Sequence, residues 1–469
     1  MPFTIYKYQI EFLKCELSTL NHDEKLDIRN MIVNFSYTES FFTNYIRGEA
    51  VIVDLEDIYE KFPIIGEEFL EITFNKYNKQ DKEDEPKDNE EEDEITFKFR
   101  VYQVSDIKSV KERSTSYKLH LISPDYINNL KRKFSKSYVD EKAEDIVQDI
   151  FTNYIKSELE LKELTTTKYN IQHNFSWSPP YSAINTLANR VVLDEFVGCD
   201  IRFFQTTKGY FFKSLQELIK KGNETKPEKE ATNNDDSKET IEGVKEIFRW
   251  QNVLISDVYS THNLTEENII KYQFLKKDNL TNMTSGIYAN KIITYDFYQG
   301  KYNTQTFKLA DEFKDFQHTK DEEEQWFTQK EDLDVDDNAV LSYLFTRYKQ
   351  NENDAFKKYS DEIIYPTYIE EYLPQNIAQN QMWSNNLLVI NVNGKITRTV
   401  GDLVYVFLPR LSGTVGDEEN ERKYYAGRYI ILEIQHTIDV GNAYSHRLLL
   451  HKESYNVELN YEYKEEGEH

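Results

Sequence analysis

A chain of 469 residues with 57 Lys and Arg against 83 Asp and Glu carries a net charge of −26. That balance argues against tight nucleic-acid wrapping and anionic membrane surfaces, both of which need surplus cations. Two cysteines, Cys15 and Cys199, with no CxxC, exclude a disulfide framework and point to a reducing compartment. No run approaches the roughly 18 apolar residues of a membrane span, and the N-terminus lacks a basic stretch followed by an apolar one, so neither anchor nor signal peptide is expected.

The first 122 residues read mostly as strands. Residues 50–53, 69–74, 95–104 and 117–122 are rich in β-branched and aromatic side chains. Ile95-Thr96-Phe97-Lys98-Phe99-Arg100-Val101 alternates, which predicts one buried and one wet face. Residues 81–94 are nearly all charged and read as a long loop within this domain. Next, Ala143, Ile146, Val147, Ile150, Phe151, Tyr154 and Ile155 fall on one helical face. A second helix opens at Ser178-Pro179-Pro180, with Trp177 before it as a core anchor, although tryptophan beside prolines also suits sugar stacking. A hairpin follows at 201–212, with Gly209 supplying the turn. Ser214 with Glu217 forms a capping-box pattern. Residues 221–243 are polar, without apolar period, and read as a flexible linker. Residues 246–330 mix strands with irregular sequence, 336–384 are partly helical, and 386–453 return to strands.

Two segments share a pattern. Gly66-Glu67-Glu68-Phe69-Leu70-Glu71-Ile72 and Gly401-Asp402-Leu403-Val404-Tyr405-Val406-Phe407 each set a turn glycine and an acid before a strand. Each is followed by a charged loop, at 75–94 and 410–423. In the strands that follow, Phe99, Val101 and Val104 match Tyr429, Ile431 and Ile434 in spacing. Lys118-Leu119-His120-Leu121 then matches Arg447-Leu448-Leu449-Leu450. The shared order predicts a duplicated antiparallel β-barrel-like unit. A trimer of such chains would present six similar barrels around a ring.

Asn174-Phe175-Ser176-Trp177-Ser178 with the following helix and hairpin, Gly286-Ile287-Tyr288-Ala289 with Tyr295-Asp296, and the run from Val400-Gly401-Asp402 to Leu450 resemble the central baseplate hub proteins of contractile-tailed bacteriophages and related injection machines. The resemblance is a diffuse pattern over most of the chain. It implies a homotrimer that meets tail-tube or tube-initiator proteins on one face and a central spike on the other. A tape measure protein is a further partner it allows. It also implies a channel through which DNA passes without specific binding, in a virion assembled in the host cytoplasm. The charge of −26 would suit an acidic lumen that repels phosphates, or simply solubility.

The expected fold is α+β, mainly β. Residues 1–122 form the first barrel-like tube domain, with the loop at 75–94, and 123–220 form an α+β module. After the linker at 221–243, residues 244–275 with 385–456 form the second tube domain, around an inserted mixed domain at 276–384. Residues 457–469 form an acidic tail. Gly66, Trp177, Gly209 and Gly401 are the structural residues singled out.

No Walker A, GxGxxG, GxSxG or HExxH motif occurs. Asp332-Leu333-Asp334-Val335-Asp336 imitates a calcium loop but has Asp337 where glycine is needed and Tyr343 where glutamate is needed, so it reads as a solvated turn. His436, His446 and His451 read as structural or surface histidines. No catalytic residue, cofactor or metal is expected. The alternative is a glycan-degrading or carbohydrate-binding β protein of a tail apparatus. A cytoplasmic scaffold unrelated to phage is a third possibility.

Overall fold

Alternating apolar and polar residues build twenty-one strands in a computed structural model that describes residues 10–19, 25–62, 64–76, 94–111, 114–225, 241–250, 267–275, 287–296, 301–319, 341–346, 368–408, 422, 424–439 and 443–453. The calcium-like turn at 332–337, Ser285-Gly286, the acidic tail and most of the charged loop at 75–94 lie outside the described residues.

Strands β1 (Ile10–Ser18), β2 (Lys25–Asp27), β3 (Ile32–Ser40), β4 (Arg47–Asp54), β5 (Phe69–Lys76), β6 (Glu94–Lys111) and β7 (Ser114–Ile122), with the single turn α1 (Ile58–Lys61), wrap one core. Phe35, Tyr37, Leu70, Ile72, Phe99, Val101, Leu119 and Leu121 fill it. The middle of the chain contributes α2 (Pro124–Lys131), β8 (Phe134–Glu141), α3 (Ala143–Ile150), β9 (Leu161–Leu164), β10 (Ile171–Ser178), α4 (Pro180–Ala188), β11 (Ile201–Thr206), β12 (Gly209–Ser214) and α5 (Leu215–Asn223). As its spacing predicts, α3 buries Ala143, Ile146, Val147 and Ile150, and it continues as a π-helical turn over Phe151–Ile155. Ser214 caps α5, its side chain accepting from the Glu217 N–H. The helix runs into the segment read as linker. Gly222 lies against Leu403, and a Cβ there would sit 2.4 Å from the leucine Cγ. Residues 226–240 are outside the described set.

Next come β13 (Glu246–Trp250) and β14 (Asn268–Phe274), then a small sheet of β15 (Ala289–Asp296), β16 (Lys301–Lys308) and β17 (Leu341–Thr346), with the turn α6 (Leu309–Glu312) and helix α7 (Ile369–Met382). The last strands are β18 (Leu387–Asn393), β19 (Leu403–Phe407), β20 (Gly427–Asp439) and β21 (Ala443–His451). Helix α7 grips the middle module through amides. The Cys199 N–H donates to Gln379 Oε1 at 2.8 Å, and Asn376 Nδ2 donates to the Cys199 carbonyl at 3.0 Å.

The barrel strands form one 13-stranded sheet in the order β19-β13-β14-β18-β21-β20-β3-β4-β7-β6-β5-β1-β2, and a further β19–β20 pairing closes the first six of these into a barrel. The two halves of the sheet are copies. The meander β3-β4-β7-β6 has the connectivity of β14-β18-β21-β20, and both are bordered by β5 or β19. Register agrees in detail. Val101↔Leu121 and Val104↔Leu119 correspond to Ile431↔Leu450 and Ile434↔Leu448. Both copies slip register at the same point, between Val101 and Gln103 and between Ile431 and Glu433. A second shared slip lies between Ile32 and Asn34 and between Ile269 and Lys271. Bulges re-aim strands and are set by local packing, so two coincident bulges in one register are the signature of a duplicated unit.

The copies differ at their first strand. β1 runs antiparallel to β5, whereas β13 runs parallel to both β14 and β19. The chain reaches β13 from α5, which packs on β19, and the Lys245 N–H donates to the Leu403 carbonyl. It therefore enters the strand at the end where β19 also begins.

Candidate assembly interface

The two copies meet where the C-terminal half of β20 leaves β19 and takes β3 as its neighbour. Glu433↔Ser40, Gln435↔Thr38, His436↔Tyr37 and Ile438↔Phe35 are in register. A polar network is buried beneath this seam. The His436 ring stacks on Tyr37 with centroids 4.2 Å apart and planes 6° from parallel, and its Nδ1 lies 2.7 Å from the Tyr444 hydroxyl. His446 stands edge-on to His436 at 4.5 Å, with its Nδ1 2.8 Å from Arg398 Nη1. Since the guanidinium can only donate, that nitrogen is the acceptor and the proton of neutral His446 sits on Nε2.

Arg398 donates from Nε and Nη2 to Glu246 Oε2 at 3.0 and 2.7 Å, and Lys395 Nζ lies 3.1 Å from Glu246 Oε1. Arg398 and Lys395 hold the Glu246 carboxyl below its usual range against the opposing cost of burial. Burial pushes His436 down to about 3 and, beside Asn385 and Trp383, His451 down to about 4. His446 is driven well below its ordinary value by burial, with His436 and Arg398 adding to the effect. All three histidines are interior groups, and among the described residues no group of three or more His, Cys, Asp or Glu could hold a metal ion.

Long β6 stands to β5 as β20 stands to β19. Its first half pairs with β5 as far as Phe69↔Arg100, and the Val101 N–H then donates to the Glu68 carbonyl at 2.8 Å. The Ile431 N–H donates to the Asp402 carbonyl at 3.0 Å at the matching place in the second copy. From that point β20 pairs with β3. From Gln103 to Lys108, β6 pairs with β7 on one side and with no described strand on the other. The reciprocal edge is on β14, whose described pairing with β13 ends at Trp250↔Ile269, so that among the described residues Lys271–Phe274 pair with β18 alone. Ile107 on the open stretch of β6 is 50% exposed, and Tyr272 and Phe274 on the open stretch of β14 are half-buried. An open edge flanked by apolar side chains is a template for strand addition.

The four structural residues named from sequence scatter. Gly66 and Gly401 share φ of +93° at equivalent turns before β5 and β19. The acid that corresponds to Asp402 is Glu68, as the shared carbonyl bonds to Val101 and Ile431 show. The Glu68 carboxylate accepts N–H groups of Ile65, Gly66 and Glu67, and Asp402 accepts that of Thr399. Replacing Gly66 or Gly401 by alanine is expected to cost about 1–2 kcal/mol through the left-handed backbone alone. Gly66 should suffer more, because its Cβ would lie 3.2 Å from the backbone oxygen of Tyr102, whereas Gly401 faces the movable side chain of Leu218. Urea unfolding of both variants measures the difference.

Gly209 follows the Thr207-Lys208 turn with φ of +140°, and a Cβ there would meet the Glu160 carbonyl oxygen at 2.7 Å. Trp177 is not a core anchor. It is 69% exposed with φ of +49°. β10 lies on a two-stranded ribbon with β8, and the left-handed turn at 177 throws the indole outward, while Phe175 fills the core. Among the described residues the buried tryptophan is Trp383, which closes α7 against His451.

Clefts open beside the middle module among the described residues. One, of about 320 Å³, is lined by acids including Asp194, Glu195, Glu312, Glu370 and Glu371. Another, of about 230 Å³, lies between α5 and the Gly401 turn.

No protein-family model matches the sequence, and no curated protein matches it. Among solved structures, the chain is similar to the tail protein from Neisseria meningitidis MC58, at TM-score 0.49 and 9% identity over 95% of this chain and 96% of that one. It is similar to the 43 kDa tail protein of prophage MuSo2 from Shewanella oneidensis, at TM-score 0.49 and 9% identity over 94% and 98%. It is also similar to the E. coli c3393 protein, a type VI secretion component described as structurally similar to the T4 bacteriophage tail proteins gp27 and gp5, at TM-score 0.39 and 8% identity over 96% and 78%.

Proposed function

We propose that this chain is a non-catalytic hub subunit of a phage-type tail, a homotrimer whose six barrels enclose a channel between tail tube and central spike. One observation carries the reading. The seam that joins the two copies within a chain is heterologous, β20 to β3, and among the described residues one half of an equivalent seam has no strand partner at each end, on β6 and on β14. Heterologous contacts repeat until the rotation closes. With β6 of one chain against β14 of the next, every barrel would meet its neighbours in the same way.

Each chain would contribute eight strands, β6, β7, β4, β3, β20, β21, β18 and β14, to the inner wall. Three chains give about 24 strands, more than the 16–18 that already leave porins an open aqueous channel. In the proposed assembly one rim of this wall meets the tube or tube-initiator proteins and the other meets the spike. DNA, preceded by a tape measure protein, passes through the lumen of the virion.

The register of the open seam follows from the closed one. Ser105 corresponds to Gln435 and Leu275 to Thr38, which face each other across the intramolecular junction. Ser105→Cys with Leu275→Cys, in one chain, should therefore oxidise to covalent dimers and trimers. Facing residues of paired strands have Cα separations within disulfide reach. Non-reducing electrophoresis reads the ladder, and light scattering reads a mass three times that of the chain. A chain that stays monomeric by mass and forms no ladder ends the ring reading.

A further inference from the structure

One face of the shared sheet carries a row of cations that hold no carboxylate among the described residues. Side chains of directly facing residues project to the same side, so the register traces one line across eight strands. It runs Arg100, Ile122, Arg47, Thr38, Gln435, Arg447, Asn391, Lys271. Four of these eight are cations and none is an acid. At about 4.8 Å per strand, neighbouring cations stand two or three strands apart, about 10–14 Å.

Among the described residues none of the four makes an ion pair. Arg47 donates to the Tyr45 hydroxyl, and Arg100 lies over the Phe69 ring at 4.5 Å with its Nη1 buried and without a hydrogen-bond acceptor among the described residues. This is unusual in a chain of 83 acids and 57 bases, where Lys14, Lys25, Arg29, Lys118, Lys136, Lys213, Lys245 and Arg398 all hold carboxylates. Acids on the same face are engaged or offset. Glu49 pairs with Lys118 at 3.1 Å, Asp439 accepts from Asn34 Nδ2 at 2.6 Å, and Glu433 lies in the neighbouring row opposite Ser40 and Leu449.

We infer that this row is a contact line for the phosphate backbone of double-stranded DNA. The inference rests on the ring reading, in which this face lines the lumen. Arginine forks match phosphate oxygens, and four isolated cations without a base-reading element give sequence-independent hold. Wide spacing keeps the grip weak, so that the duplex is retained at rest and still slides. An acidic polypeptide would answer the same charge, but a row of evenly separated cations on a broad sheet suits a stiff polyanion better than a flexible chain.

The test is fluorescence anisotropy of a labelled 30-base-pair duplex with the full chain from 20 to 200 mM KCl. Light scattering on the same samples gives the oligomer mass. Binding should weaken with salt, and the log–log slope measures the phosphates engaged. Arg47→Gln/Arg100→Gln/Arg447→Gln, which removes three cations from each of three chains, should lower affinity at 50 mM KCl at least tenfold and flatten the slope by at least about 2–3 units and up to about 8. Arg447→Gln alone, at an exposed position in each of three chains, should flatten it by about 1–3 units and guards against misfolding of the triple variant. A trimer that ignores the duplex at 20 mM KCl overturns the inference and leaves the ring standing. Unchanged slopes in both variants, or preference for poly-L-glutamate over the duplex, overturn it equally. A monomeric mass instead overturns the ring reading.

Discussion

Arg398→Met should destabilise the second barrel by about 3–5 kcal/mol, the cost of leaving one member of a buried ion pair without its partner. Glu246 is 8% exposed and Arg398 2%, so water cannot replace the lost fork. Lys395 would remain as the carboxylate's one cation. The loss is concentrated at the barrel closure. Glu246 begins β13, the strand that bridges β14 and β19, and Arg398 also donates to the Asn393 carbonyl at 3.0 Å and faces His446. Glu246→Leu should cost a similar amount, because it leaves the guanidinium buried beside His446 and over Phe248. The double variant Arg398→Met/Glu246→Leu should lose less than the two single losses added together, by 2 kcal/mol or more, an order of magnitude set by couplings within buried networks. Denaturant unfolding of the four proteins completes the cycle. Single losses below about 1 kcal/mol would show that the network does not hold the closure.

Acid should open the same region. His436, His446 and His451 have folded-state values depressed below the ordinary 6.5, to about 3 for His436 and about 4 for His451. The unfolded chain therefore binds protons that the folded chain refuses. Stability is full above pH 6.5 and falls as pH drops below it, by about 1.4 kcal/mol per proton per pH unit. Protonation of His436 would place a cation against Tyr37 and Tyr444 and within reach of His446 and Arg398, with no carboxylate among its contacts. His451 is partly relieved by Glu453, which raises it.

Burial acts in the opposite sense on Asp200, raised to about 6, and on Glu39, Asp125 and Asp402, also raised. These carboxyls take up protons more readily when folded and offset part of the loss as pH falls. Between pH 6.5 and 5 the three histidines would contribute about 4–6 kcal/mol of destabilisation, reduced by that offset. Urea midpoints across this range should show a net uptake of two to three protons on unfolding. His436→Phe keeps a ring against Tyr37 and should remove one of them. A midpoint independent of pH over this window would mean that the three rings are hydrated in solution.

Much of this architecture is legible in the residues themselves. Alternation at 95–101, the helical face from Ala143 to Ile155 and the turn glycines at 66 and 401 are local patterns, and local patterns report local backbone. The duplication was legible for the same reason. Phe99, Val101 and Val104 keep the spacing of Tyr429, Ile431 and Ile434 because both strands bury the same positions around the same bulge. The linker reading missed the end of α5, since Gly222 carries no apolar side chain to mark its contact with Leu403. Trp177 misled because residue type alone does not say which way a left-handed turn will point an indole.

Composition, period and repeat thus determined a mainly β chain with two copies of one barrel around a helical module. Tertiary structure alone decided how the copies join, which strand runs parallel and which edges lack a partner among the described residues. Glu246 and Arg398 are 152 residues apart, and the cation row draws on β6, β4, β21 and β14. No local period encodes such meetings, because strand register is fixed by which chains fold next to one another.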